Sequence, residues 1–227
     1  MKDKIYLAAT FMVNIISLYM IFIWSPPLVV GNQVSADPNI FRIFYIHFPA
    51  AIVTYTAFTL TFVGSILYLW KKDFKWDTIA AVSATLGLVF CAITLMAGSI
   101  WAENAWGAYW NWDPRETTTL LLFLAYAAYL AYRMAIVDLE RRAKLSSVLV
   151  VIAFICVPLS YASVYFWRTL HPVVITLTGV SMGATAAETL LVSILGQMLI
   201  FFYLLYFTVK TEKLTEKIEF LKARGES

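Results

Sequence analysis

Only two histidines occur in the 227 residues, and both stand near arginines in aromatic surroundings. His47 lies five residues after Arg42 in Arg42-Ile-Phe-Tyr-Ile-His47-Phe-Pro49, and His171 lies three after Arg168 in Trp167-Arg168-Thr-Leu-His171-Pro172. Between them runs Trp101-Ala-Glu-Asn-Ala-Trp106-Gly107-Ala-Tyr109-Trp110-Asn-Trp112-Asp113-Pro114-Arg115-Glu116, in which five large aromatics fall within twelve residues. Indole and phenol rings present wide, rigid, apolar faces at low entropic cost, which suits a large planar ligand. Neutral imidazole is a good axial ligand for haem iron, and guanidinium groups pair with carboxylates such as haem propionates. Together these residue types point to the binding of an iron porphyrin, with haem b as the expected group.

Each feature also has a plainer reading. Trp and Tyr collect where hydrocarbon meets water, and such a belt explains one or two aromatics at a helix end but not five in one connection. Asp113, Pro114 and Glu116 are placed as N-cap, first helical residue and third residue of a capping box, which would fix the loop above the helix they start. Arg115 either faces a ligand carboxylate, pairs with Glu103 or Glu116, or snorkels. Zinc is a weaker candidate, because two histidines without a cysteine or obvious carboxylate ligand make an incomplete set. Cys91 and Cys156 each sit inside an apolar run, with no CxxC pair and no CxxCH haem-attachment site, so they read as packing residues and the chain is not itself a c-type cytochrome.

The elements that carry these residues follow from composition. With 61% hydrophobic and 14% charged residues, the chain lies far from a water-soluble globular domain, and a net charge of +3 gives no footprint for nucleic acid. Crossing about 30 Å of hydrocarbon takes about 20 mostly apolar residues in a helix. Six segments qualify, near Ile5–Trp24, Ile43–Trp70, Asp77–Trp101, Thr117–Val137, Leu145–Phe166 and Thr185–Val209. The fold class is therefore all-α, a polytopic membrane protein. The first segment follows Lys2 and Lys4 but has no small-residue cleavage site before Pro26 and Pro27, and reads as a retained anchor. Asn14, Ser17, Thr54, Thr56, Thr59 and Thr61 are expected to bond within or between helices.

Fourteen of the 17 Lys and Arg residues fall at the chain ends, at 71–75 and at 133–144, whereas Arg42, Arg115 and Arg168 lie on the other side. Cytoplasmic segments carry that excess, so both termini are expected in the cytoplasm and three loops face outward: Ser25–Arg42, Ala102–Glu116 and Trp167–Ala184. The chain divides into a membrane domain, residues 1–209, and a cytoplasmic tail, 210–227. In the tail, Leu214, Ile218 and Leu221 recur at helical spacing, consistent either with a short amphipathic helix or with a solvated end.

With these residues in place, the chain resembles the membrane haem-handling family that carries a tryptophan-rich WWD signature, in its six-helix haem exporter protein C (CcmC-type) branch. Arg42–Ala51 resembles the family's first histidine motif, Trp106–Thr117 its tryptophan-rich loop and Thr169–Pro172 its second histidine site. Tyr109 stands where the family often has tryptophan, and 111–116 looks partly like the longer cytochrome c synthase relatives. The resemblance implies that Trp106, Gly107, Tyr109, Trp110, Trp112, Asp113 and Arg115 form or support a haem platform, with His47 and His171 as candidate axial ligands and Arg42 and Arg168 as further cationic partners. It also implies delivery of haem to a membrane-anchored haem chaperone during cytochrome c maturation, beside ABC-type transporter subunits, at the extracytoplasmic face of the cytoplasmic membrane. A binding and delivery protein rather than an enzyme is expected, with a haem lyase role left open. Two other classes stay in view. A cytochrome b-like electron carrier would place paired histidines inside helices, and a small-solute transporter would show internal repeats or polar residues at the bilayer midplane.

Overall fold

The computed structural model describes residues 2–25, 39–172, 175–176, 179–180 and 182–223. Most of the first outward loop and residues 224–227 lie outside the described residues, as do Pro26, Pro27 and Arg224. The helices are α1 (Lys2–Tyr19, continued by a π-helical turn Met20–Trp24), α2 (Phe44–Lys71, entered through a 3₁₀ turn Ile40–Ile43), α3 (Phe74–Trp106), α4 (Pro114–Met134), α5 (Leu139–Ala153), α6 (Cys156–Phe166) and α7 (Ala184–Ala223). Two two-residue strands, β1 (Ile175–Thr176) and β2 (Gly179–Val180), pair antiparallel in the last loop, a small hairpin not expected from the sequence.

Among the described residues, five stretches are long and apolar enough to cross a membrane: Asp3–Trp24, Phe44–Lys71, Phe74–Trp106, Leu139–Phe166 and Ala184–Thr215. The sixth, α4, has 21 residues, which reach about 30 Å at 1.5 Å per residue. Its polar opening, Arg115 to Thr119, dilutes its apolarity, and it packs against α3, α5 and α6. The chain is thus an all-α polytopic membrane protein, with α5 and α6 forming one span in two pieces. Pro158 explains the break. It has no N–H to offer the carbonyl of Phe154 four residues back, and that carbonyl accepts from Val157 N instead, at 2.9 Å.

The centre is the α2–α3 hairpin, closed by a two-residue turn in which Lys72 adopts φ +57° and Asp73 caps α3 by accepting from Lys75 N. Phe58 of α2 stacks on Tyr126 of α4, ring centres 3.6 Å apart, over a core with Cys91, Leu122 and Val150. A second core, Ala50, Val53, Phe90 and Phe201, joins the hairpin to α7. α1 packs mainly on α7, where Asn14 donates to Gly196 O and Ser17 meets Ser193. The expected threonine bonding is local: Thr54, Thr56, Thr59 and Thr61 each donate to the carbonyl one turn back.

Up-and-down packing gathers the basic turns at one end, where Arg133 clamps Asp77 with two bonds of 2.6 and 2.7 Å and Lys210 pairs with Asp3 at 2.6 Å. At that end α7 runs on without interruption to Ala223, so its tail is a continuation of the span rather than a separate short helix. The Lys- and Glu-rich stretch has no Gly or Pro before Gly225 to stop it. Both histidines lie at the opposite end.

Candidate functional site

At the aromatic end, α2, α3, α4, α6 and the loop after α6 enclose a cleft of about 1090 Å³ with its open mouth counted. His47, His171, Trp110 and Arg115 line it, joined by Trp101, Phe44, Phe48, Tyr55, Tyr161 and Tyr165. Four of the residues singled out by type and spacing therefore converge, although His47 and His171 are 124 positions apart in the chain.

His47 occupies the first turns of α2, and its Nδ1 lies 2.9 Å from the carbonyl oxygen of Thr94 on α3. A carbonyl only accepts, so Nδ1 carries the proton and a neutral ring keeps Nε2 as its free lone pair. This approach requires Gly98. A Cβ there would stand 2.7 Å from His47 Cε1, inside any real contact distance, and 3.0 Å from Nδ1.

His171 is held in the same way by a different partner. Its Nδ1 lies 2.9 Å from Asp113 Oδ1, and Asp113 also accepts from Thr169 Oγ1 at 2.7 Å, Leu170 N at 2.7 Å and Arg115 N at 2.9 Å. Asp113 thus does two jobs, capping α4 and fixing the loop that carries His171. The capping box is complete, since Glu116 Oε2 accepts from Asp113 N and from Asn111 N. Burial would raise the Asp113 carboxyl pKa, but the hydrogen bonds from His171, Thr169, Leu170 and Arg115 outweigh it and hold the group well below the usual carboxylate range. Asp113 is 4% exposed, so these bonds face little competition from water.

Trp101 packs near both histidines, with ring centres 6.4 Å from His47 and 6.3 Å from His171. Trp106 packs edge-on against His171 at 5.0 Å. Gly107 ends α3 at φ +78°, a conformation that strains any residue with a Cβ, and returns the chain toward the cleft. Trp112 also has positive φ, +55°, and is 73% exposed, with its ring perpendicular to Trp110 at 5.9 Å. Holding a tryptophan in the left-handed region costs about 1 kcal/mol or more, and here it sets an exposed indole beside Trp110. Tyr109, 61% exposed, contributes its carbonyl to Ser99 Oγ.

Arg115 donates Nη2 to Tyr161 O at 2.9 Å, while its buried Nε has no hydrogen-bond partner among the described residues. A guanidinium with an unused buried donor can receive an anionic oxygen. Arg42 is placed elsewhere: it binds the carbonyl of Ile21 and, at 3.0 Å, that of Ser25, tying the end of α1 to the start of α2. Arg168 is exposed and lies off the cleft wall. Sequence reasoning did not single out Trp101, Thr94, Gly98, Thr169 or the α6 tyrosines as site residues. Only Trp101, as the first ring of the aromatic run, and Tyr161 with Tyr165, one helical turn apart, carried a visible signal.

Comparison with known proteins identifies the family. The model of the family described as heme exporter protein C matches residues 3–224. The chain is similar to heme exporter protein C of Paracoccus denitrificans, 31% identical over 186 residues that cover 81% of this chain and 77% of that protein. It is similar over a shorter stretch to heme exporter protein C of Escherichia coli, 34% identical over 134 residues, 59% of this chain and 54% of that one. A cytochrome c biosynthesis ccmC-like mitochondrial protein of Marchantia polymorpha is 32% identical over 131 residues, 58% of this chain and 55% of its own.

Proposed function

The chain belongs to the heme exporter protein C family, and from that premise we propose that its aromatic cleft holds haem b between His47 and His171 and yields it for cytochrome c maturation. One observation carries the reading. Both histidines have Nδ1 engaged, one by Thr94 O and the other by Asp113 Oδ1, so each offers Nε2 at the same cleft. Backbone or carboxylate partners on the second ring nitrogen are the usual support of a metal-binding histidine.

The remaining residues divide the work by chemistry. Trp110, Phe44, Phe48 and Tyr165 supply apolar area for the macrocycle, and Arg115 Nε is the donor for a propionate. Trp106 and Trp101 hold the rings of the histidines in place, and Trp112 packs edge-on against Trp110. In this reading the protein acts as a holding and delivery site rather than a catalyst. His47 stands on a helix whereas His171 stands on a loop clamped through Asp113, so release proceeds at the loop side, where a partner's ligand replaces His171. That partner is a membrane-anchored haem chaperone at the extracytoplasmic face, with ABC-type subunits in the same maturation system.

Loading the detergent-purified protein with haem, adding such a chaperone and measuring the haem recovered on each tests this directly. The parent should transfer haem, and His171→Ala should lose both retention and transfer. Undiminished loading and transfer by a His47→Ala/His171→Ala variant would overturn the proposal.

A further inference from the structure

At the basic end, away from the haem cleft, a second cavity of about 1340 Å³ with its open side counted lies along one face of α3. Phe74, Asp77, Ala81 and Thr85 recur at helical spacing on that face. Arg133 and α5 wall it on one side, and Thr208 and Glu212 of α7 on the other. Four charged groups face this space. Asp77 and Arg133 neutralise each other through their two short bonds. Arg142 and Glu212 do not: among the described residues neither forms an ion pair, and Arg142 Nε is buried without a hydrogen-bond partner.

We propose that this groove is a binding site for a zwitterionic phospholipid with a primary-amine headgroup, whose phosphate meets Arg142 and whose ammonium meets Glu212. The charge pattern selects the headgroup. A lone anionic lipid would satisfy Arg142 and place its charge near Glu212, whereas a phosphate joined to an ammonium offers each side chain its opposite. A primary ammonium has N–H donors for the Glu212 carboxylate, and a quaternary choline has none. The apolar wall of Ala81, Val82, Leu86 and Leu139 gives the acyl chains a surface that a free headgroup could not use. Basic pockets between membrane helices are established sites for lipid headgroups, and here the added acid narrows the choice.

Native mass spectrometry of the full chain, released from detergent with matched-chain phosphatidylethanolamine, phosphatidylcholine or phosphatidylglycerol, reads the preference. The ethanolamine lipid should be retained most. Arg142→Gln should lower its retention roughly tenfold, and Glu212→Gln should remove the preference over the choline lipid. Ala81→Trp, which fills the groove without changing charge, should exclude all three while leaving the haem spectrum as in the parent. Soluble glycerophosphoethanolamine should not compete. Equal or stronger retention of phosphatidylglycerol by the parent, unchanged retention in both Arg142→Gln and Ala81→Trp, or full competition by the soluble headgroup would overturn the assignment.

Discussion

Replacing Asp113 by Asn keeps a capping side chain, because Asn is as good a helix cap as Asp, and weakens the hold on the His171 loop. The carboxylate accepts from four donors, two at each oxygen: Arg115 N and His171 Nδ1 at Oδ1, Leu170 N and Thr169 Oγ1 at Oδ2. Asn retains one acceptor oxygen and turns an NH₂ toward the other pair of donors, so one of the two sets is lost. Hydrogen bonds to a charged group contribute about 1.5–3 kcal/mol each, and with partial rearrangement we expect a loss of about 2 kcal/mol in docking the His171 loop. If that docking prepares the iron ligand, haem affinity falls roughly 30-fold, since 1.4 kcal/mol corresponds to tenfold. Haem titration of the purified protein, followed by absorbance, measures it. Asp138→Asn, the same change at the α5 cap, is the control and should alter affinity less than about threefold. External imidazole should restore the parent spectrum in Asp113→Asn by replacing a mispositioned ring. Affinity within threefold of the parent, with an unchanged spectrum, would refute the claim that Asp113 positions His171.

Three further outcomes follow from the same geometry. Gly98→Ala puts a methyl group 2.7 Å from His47 Cε1 and forces the ring away from Thr94 O, so haem affinity should fall roughly tenfold or more, measured by the same titration. The Asp113 carboxyl is held well below its ordinary pKa of about 3.9, so its stabilisation is complete above that value and is lost as pH falls through the lower, folded one. The gap in thermal unfolding midpoint between the parent and Asp113→Asn should therefore stay constant above about pH 5 and narrow below about pH 4. At the basic end, the Asp77–Arg133 pair is nearly buried, with side chains 7% and 13% exposed. Asp77→Ala should cost about 3–5 kcal/mol by stranding the guanidinium, and Asp77→Leu/Arg133→Met distinctly less, as read by denaturant unfolding in mixed micelles.

Much of the architecture could be read from apolar runs, because spanning hydrocarbon demands a length and composition that few other structures share. The boundaries failed where local chemistry overrode that pattern. Pro158 splits the fifth span through a missing N–H, and the helix-forming tail carries α7 on to Ala223 although its residues are polar. At the site, the two histidines, Trp110 and Arg115 were visible as rare or crowded residue types. Their partners were not, because Asp113 meets His171 across 58 positions and His47 meets Thr94 across 47, distances over which one sequence carries no pairing signal. The placement of Arg42 was hidden for the same reason, since its partners are backbone carbonyls of Ile21 and Ser25, which have no side-chain signature. Gly98 looked like any small residue in a membrane helix until the His47 ring was seen against it.

The central claim is that haem sits in the aromatic cleft with His47 and His171 on its iron. Its most direct test is the visible absorption spectrum of the protein purified from haem-replete membranes, beside His47→Ala, His171→Ala and Trp110→Ala/Trp112→Ala. The parent should show a haem band that shifts with each histidine substitution and weakens in the double tryptophan variant. A folded parent without haem even when haem is supplied, or a band identical in all four proteins, would contradict it.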